Sequence, residues 1–203
     1  PPFDYSYTTN GTSSGSLSSP VDSVSIPVAP TVNTTYILST SISDANCSNS
    51  NINQSVYMKV TPLPTAAISG TNAICNGGST NLTINFTGEA PYSYSYLAGG
   101  TTMGPFTTNS NSVTIPVSPT ANTNYTLPAT VTGNGCNGSA SGNALITVNA
   151  IPQAVITSAK DSICKGDSTQ LSIQFTGTAP FTYQLQGQGV SNATSNPYTF
   201  YVS

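Results

Sequence analysis

The chain is 203 residues long, and only nine of them are charged: three lysines, five aspartates and Glu89, for a net charge of −3. It has no His, Arg or Trp, while Ser, Thr and Asn together make 81 residues. Without His there is no Ser-His-Asp or Cys-His nucleophile pair and no imidazole metal ligand, and three lysines cannot neutralise the several phosphates on which nucleic-acid binding depends.

No apolar run approaches the ~18 residues of a membrane-crossing helix, and no stretch combines helical periodicity with caps. Period-two alternation is everywhere instead, and it predicts strands. In chain order the alternating sets are Phe3, Tyr5, Tyr7; then, after a Ser-rich segment over 12–19 expected as an exposed loop, Val24, Ile26, Val28; then a strand headed by Tyr36, and Val56, Met58, Val60. Next come a short strand over 66–69, then Leu82, Ile84, Phe86; Tyr92, Tyr94, Tyr96; and a short strand over 103–106. Val113, Ile115, Val117 follow, then Tyr125, Leu127, Val131, and Ala144, Ile146, Val148. The last stretch carries Leu171, Ile173, Phe175 and Phe181, Tyr183, Leu185.

These sets are copies of one repeat. Cys47 recurs as Cys136 and Cys75 as Cys164, both 89 residues on; Ile26 to Leu38 recurs as Ile115 to Leu127, and Phe86-Thr-Gly-Glu-Ala-Pro91 as Phe175-Thr-Gly-Thr-Ala-Pro180, at the same spacing. The frame predicts a C-terminal part of a repeat over 1–61, a complete repeat over 62–149 and an N-terminal part over 150–203. The whole reads as a window on a longer tandem array joined by Pro-marked linkers. Seven strands in about 88 residues is the size and rhythm of an immunoglobulin-like sandwich. The fold class expected is all-β, with tandem immunoglobulin-like β-sandwich domains. Tyr36 and Tyr125, at the head of the sixth strand, stand where such folds place a corner tyrosine whose hydroxyl ties back to the backbone.

Ile74-Cys-Asn-Gly-Gly-Ser-Thr-Asn-Leu82 and Ile163-Cys-Lys-Gly-Asp-Ser-Thr-Gln-Leu171 resemble the opening of the Ig-like or PKD-like repeats found in giant surface and gliding adhesins of Bacteroidota. The Pro-Thr-x-Asn-Thr-x-Tyr-x-Leu segment and the Gly135-Cys136 turn are similar to the second half of that repeat. The resemblance covers the chain and implies an exported, extracellular array at the cell surface or in a secreted filament. It implies no ligand.

In an exported protein the four cysteines suggest disulfides. The simplest pairing is Cys75 with Cys136 inside the complete repeat, leaving Cys47 and Cys164 with partners elsewhere. A plain seven-strand topology, however, puts those two turns at opposite ends of the domain. An inter-domain or intermolecular staple is therefore an alternative, and free thiols are a third. Nothing supports a zinc or calcium site, since CxxC pairs, His and carboxylate clusters are lacking, and no cofactor is expected. Sequons at Asn10, Asn33, Asn46, Asn53, Asn81, Asn85, Asn124, Asn137 and Asn192 arise freely in a chain this rich in Asn, Ser and Thr. More specific are Asp22-Ser-Val, Asp161-Ser-Ile and Asp167-Ser-Thr, which resemble Bacteroidota O-glycosylation sites and make Ser23, Ser162 and Ser168 candidates for covalent sugar; the two later aspartates also suit turns. Tyr92, Tyr94 and Tyr96 suit a core face better than a sugar-stacking stripe.

Two functions compete: a structural module of a fibre or stalk, or an adhesin module that binds glycans or surfaces. An enzyme has no acid-base pair, metal set or nucleophile to stand on. The partners expected are copies of the chain itself, head to tail or in a helical fibre. The two partial repeats raise strand complementation between subunits, with about 25 residues of overlap between the ends.

Overall fold

Period-two alternation places every second side chain on one face of an extended chain, and most of the alternating sets are realised as strand. The computed structural model describes residues 1–38, 42–50, 52 and 54–202, and all regular structure among them is β. They divide into two compact units, Pro1–Pro62 and Leu63–Ser203.

In the first unit the described strands are β1 (Phe3–Tyr5), β2 (Tyr7–Thr9), β3 (Thr12–Ser13), β4 (Leu17–Ser19), β5 (Thr34–Leu38), β6 (Ile42–Ser43), β7 (Ser48–Asn49) and β8 (Ser55–Met58). They form two sheets, ordered β4-β1-β6-β7 and β3-β2-β5-β8. Asn10 and Gly11 both have positive φ, 47° and 85°, which closes a tight hairpin between β2 and β3. The Ser-rich 12–19 segment is thus not simply a loop: β3 and β4 pair with β2 and β1. The Val24, Ile26, Val28 set, expected as a strand, forms none, and all three side chains are exposed.

The second unit opens with β9 (Thr65–Ser69), β10 (Asn72–Cys75), β11 (Thr80–Thr87), β12 (Tyr92–Ala98), β13 (Thr101–Thr108), β14 (Ser112–Val117), β15 (Thr123–Thr126), β16 (Thr130–Gly133), β17 (Cys136–Ser141) and β18 (Asn143–Asn149). The seven expected strands are ten: β10 and β17 are additional to the expected set, and the Tyr125, Leu127, Val131 set splits at Pro128, which has no N–H to give a ladder. Gly70, whose φ is 125° and where a Cβ would meet Asn81 O at 2.8 Å, separates β9 from β10. Gly142, with φ 94° and a Cβ position 2.6 Å from Ile68 O, separates β17 from β18. Each break lets a strand change partners: β9 pairs with β11, but β10 pairs with β18. The resulting ten-stranded sheet runs β10-β18-β15-β12-β16-β17-β9-β11-β14 with β13 beside β12, and folds over on itself. Its inner face is the core: Leu82, Ile84 and Phe86 against Tyr92, Tyr94, Tyr96, Tyr125, Val131, Ala144 and Ile146.

Residues 153–202 form β19 (Gln153–Ser158), β20 (Thr169–Thr176), β21 (Phe181–Gln184), β22 (Val190–Ala193) and β23 (Tyr198–Val202). These pair as β19-β20-β23 and β21-β22, around a smaller core of Ile173, Phe175, Phe181 and Ala193. The Phe175–Phe181 stack, 4.7 Å between centroids, repeats the Phe86–Tyr92 stack at 4.8 Å.

Solvent-facing positions show why so few charges suffice. Hydroxyls and amides pair across strands, as in Thr65–Thr87 (2.6 Å), Asn72–Thr80 (2.9 Å) and Ser112–Asn85 (2.8 Å).

Candidate functional site

The cysteines mark the two ends of the repeat. In the complete copy β9 and β17 run parallel from one end, with Thr65 opposite Ser139, and β10 and β18 finish together at the other, with Cys75 opposite Asn149. Cys136 opens β17 opposite Gly133, so it sits at the entry end of the repeat and Cys75 at the exit end. The 13 residues from Cys136 to Asn149 span about 40 Å of strand at ~3.3 Å each, whereas a disulfide joins Cα atoms at most ~7 Å apart. The Cys75–Cys136 bond expected within the repeat is therefore not formed. No two of the four cysteines are bonded to each other within the chain; Cys47, Cys75 and Cys164 are exposed and Cys136 is half-buried.

The repeated motifs around them are backbone devices. Gly78 N–H donates to Cys75 O at 2.8 Å and Asp167 N–H donates to Cys164 O at 3.0 Å. The third residue of each turn, Gly77 or Gly166, has φ of 83° or 92°, which is why the Ile-Cys-x-Gly pattern needs its glycine. At the entry end, Asn134 and Gly135 close the β16–β17 turn with positive φ at both. In the first unit the same turn is held by Asp44, whose carboxylate accepts the N–H groups of Asn46 (2.9 Å) and Cys47 (2.7 Å). Those two bonds hold its pKa below the ordinary aspartate value. The Pro-Thr-x-Asn-Thr motif has an equally local role: Asn33 Oδ1 accepts Val60 N–H at 2.8 Å, and Asn122 Oδ1 accepts Val148 N–H at 2.7 Å.

The backbone tie expected of a corner tyrosine is made by a different residue. Tyr125 is buried on β15 and Tyr36 is half-buried on β5, yet among the described residues neither hydroxyl enters a hydrogen bond. Tyr92 makes the tie: its hydroxyl donates to Gly88 O at 2.8 Å and lies 3.1 Å from Asn111 Oδ1. Composition alone could not separate Tyr92 from its alternating neighbours; the glycine four residues upstream is the signal that could have found it. Burial, with a smaller effect of neighbouring Tyr96, raises the pKa of the Tyr94 and Tyr125 phenols. Tyr92, Tyr94 and Tyr96 all lie in the core, packed with Phe86 and Phe106, so they offer no stacking stripe to a sugar.

Ser23, Ser162 and Ser168 are exposed together with Asp22, Asp161 and Asp167. Of the sequons, Asn53 lies outside the described residues. Among the described residues no three His, Cys, Asp or Glu side chains gather where they could hold a metal ion, and no helix is long and apolar enough to cross a membrane.

No family model and no curated protein matches the chain. Solved structures do. The I-band fragment I67-I69 from titin superposes with a TM-score of 0.60 at 12% identity, over 99% of this chain and 77% of the fragment. An E-to-A variant of the same three Ig domains gives 0.60 and 12% over 98% and 76%. At that identity the likeness is one of fold. The chain is a tandem of immunoglobulin-like β-sandwich domains.

Proposed function

We propose that the chain is a load-bearing span of an extracellular fibre or surface stalk, of the kind its repeats resemble in Bacteroidota, and that it performs no catalysis. One observation carries this reading: the first and last strands of the complete repeat are parallel neighbours in two ladders, one towards each end. The chain enters at Thr65 and leaves at Asn149, at opposite ends, with β9 on β17 and β10 on β18. Tension applied through the linkers therefore shears both ladders at once instead of opening them bond by bond. Each amide bond is worth several kcal/mol while water is excluded, so simultaneous loading makes a mechanical clamp. The Pro-rich linkers keep successive domains semi-rigid. Exposed Ser23, Ser162 and Ser168 are available for covalent glycan in this setting.

Force–extension measurement on the full chain tests the proposal. The complete repeat should resist extension and then release about 260 Å of contour in one step, from roughly 85 residues at ~3.6 Å each less the about 40 Å that the folded repeat already spans. Extension by gradual, low-force lengthening would remove the load-bearing role.

A further inference from the structure

The ten strands of the complete repeat leave three free edges: β10 and β14 end the sheet, and β13 lies outside β12. A free edge is a row of unpaired N–H and C=O groups that another chain can extend, and proteins often guard it with charge, Lys above all. None of the nine charged residues lies in β10, β13 or β14. The main chain of these strands is guarded in other ways.

On β14 the guard is a hydroxyl and a proline. Phe86 N–H donates to Asn111 O at 2.8 Å, and antiparallel partners alternate between bonded and non-bonded pairs. By the register of β11 with β14, Val113, Ile115 and Val117 therefore turn their main-chain groups to β11, while Ser112, Thr114 and Pro116 turn theirs outward. Ser110 Oγ takes both groups of Ser112, accepting its N–H at 3.3 Å and donating to its O at 2.8 Å. Pro116 has no N–H, and its ring fills the space a partner's carbonyl would need. Of the three, only Thr114 keeps both groups open among the described residues.

On β10 the caps are local. Asn76 N–H donates to Asn149 O at 2.8 Å, so the parallel register turns Asn72 and Ile74 to β18 and leaves Ala73 and Cys75 facing outward. Ala73 N–H donates to Asn72 Oδ1 at 2.9 Å, and Cys75 O accepts Gly78 N–H at 2.8 Å. On β13 the register with β12 shifts between Tyr94 and Tyr96, which sets Gly104 and Pro105 against Ser95 alone. Such a bulge twists the edge, and Pro105 removes a donor from the middle of it.

We propose that the complete repeat is closed to strand addition by a second copy of this chain, with proline, a bulge and local caps standing in for charge. Copies carrying a net charge of −3 over 203 residues repel one another weakly, so the edges themselves must refuse a partner. Residues 153–202 guard the edge matching β14 at another position. Tyr201, opposite Gln170, stands where Pro116 stands opposite Asn81, but Pro197 immediately precedes β23 in the place of Ser112. The closed edges follow from the main-chain geometry of one repeat. That they keep neighbouring rods from fusing side by side rests on the fibre reading above.

The test opens one edge at a time in the full chain. Pro116→Thr with Ser110→Ala restores a donor to β14 and uncaps Ser112; separately, Asn72→Val uncaps Ala73 on β10. All three side chains are exposed, so the variants keep their fold, which circular dichroism verifies. Sedimentation velocity should show each variant self-associating at least about tenfold more tightly than the parent chain. Residue-resolved amide exchange locates the contact. Thr114 N–H should gain protection as the β14 variant is concentrated. Ala73 N–H should exchange faster than in the parent when the β10 variant is dilute, and slow again when it is concentrated. Protection that rises with concentration at either amide bears the proposal out. No such gain at either amide, whatever the sedimentation, overturns it. Extension of single molecules under force involves no second copy, so the load-bearing reading stands or falls separately.

Discussion

Tyr92→Phe isolates a single hydroxyl. The ring is fully buried and stacks on Phe86 at 4.8 Å and 14°, and Phe keeps that packing. What disappears is the bond to Gly88 O and the contact with Asn111 Oδ1. A lost hydrogen bond costs about 1 kcal/mol net, rising to ~3 when the abandoned partner stays dry. Gly88 is exposed, so water reaches its carbonyl and the lower figure governs. We expect about 1–1.5 kcal/mol, or roughly 4–10 °C in the melting of a repeat this size. Amide exchange in β11 and β12, followed in the full chain against urea, measures the complete repeat separately from its neighbours. The double variant Tyr92→Phe with Asn111→Ala should lose little more than the sum of Tyr92→Phe and the Asn111 packing term. Residues 153–202 provide an internal comparison: Phe181 occupies the equivalent place without a hydroxyl, and there Asn196 grips Phe175 instead, donating to its O at 2.7 Å and accepting its N–H at 2.9 Å. A loss below about 0.3 kcal/mol, within the range of inert surface changes, would refute the view that Tyr92 anchors the β11–β12 corner.

Gly138→Ala should be far more damaging, by about 3 kcal/mol or more, because its Cβ would run into Pro64 O and Pro64 C; a fall in the urea midpoint of the complete repeat measures it. Asn122→Ala removes the acceptor of Val148 N–H and should cost about 1 kcal/mol, seen as faster exchange at that amide and not at β12. Asp44 is held below its ordinary value of 3.8 by two backbone N–H groups. Its contribution to the first unit's turn is present above that value and lost as pH falls through the lower folded one, so the Asn46 and Cys47 amide resonances should shift only below the ordinary titration. Tyr94 and Tyr125 are raised above 10.0, chiefly by burial. Their neutral forms support the fold below that pH, and the support is lost as pH rises through the folded values; absorbance titration should show these two phenols, together with Tyr183, which burial and its hydrogen bond with Tyr198 also raise, ionising later than in a urea-denatured control.

Alternation, turn residues and an 89-residue spacing are local properties, so the sequence by itself settled the class of fold and the inward-facing side chains of the complete repeat: Leu82, Ile84, Phe86, Tyr92, Tyr94 and Tyr96 are all in the core. It also located the glycine turns at Gly77 and Gly166, because positive φ is a demand of the residue itself. The tertiary structure decided whatever depends on a distant partner. Val24, Ile26 and Val28 alternate as well as Val113, Ile115 and Val117 do, yet only the second set forms a strand, because β11 lies beside it and no strand among the described residues pairs with the first. Gly70 and Gly142 break their strands because neighbouring backbone approaches too closely for a Cβ, a constraint invisible in a linear pattern. The cysteines recur at a fixed spacing, but only the parallel course of the first and last strands sends Cys75 and Cys136 to opposite ends. Periodicity tells a side chain which face it is on; only the strands that arrive from elsewhere in the chain determine whether that face is covered.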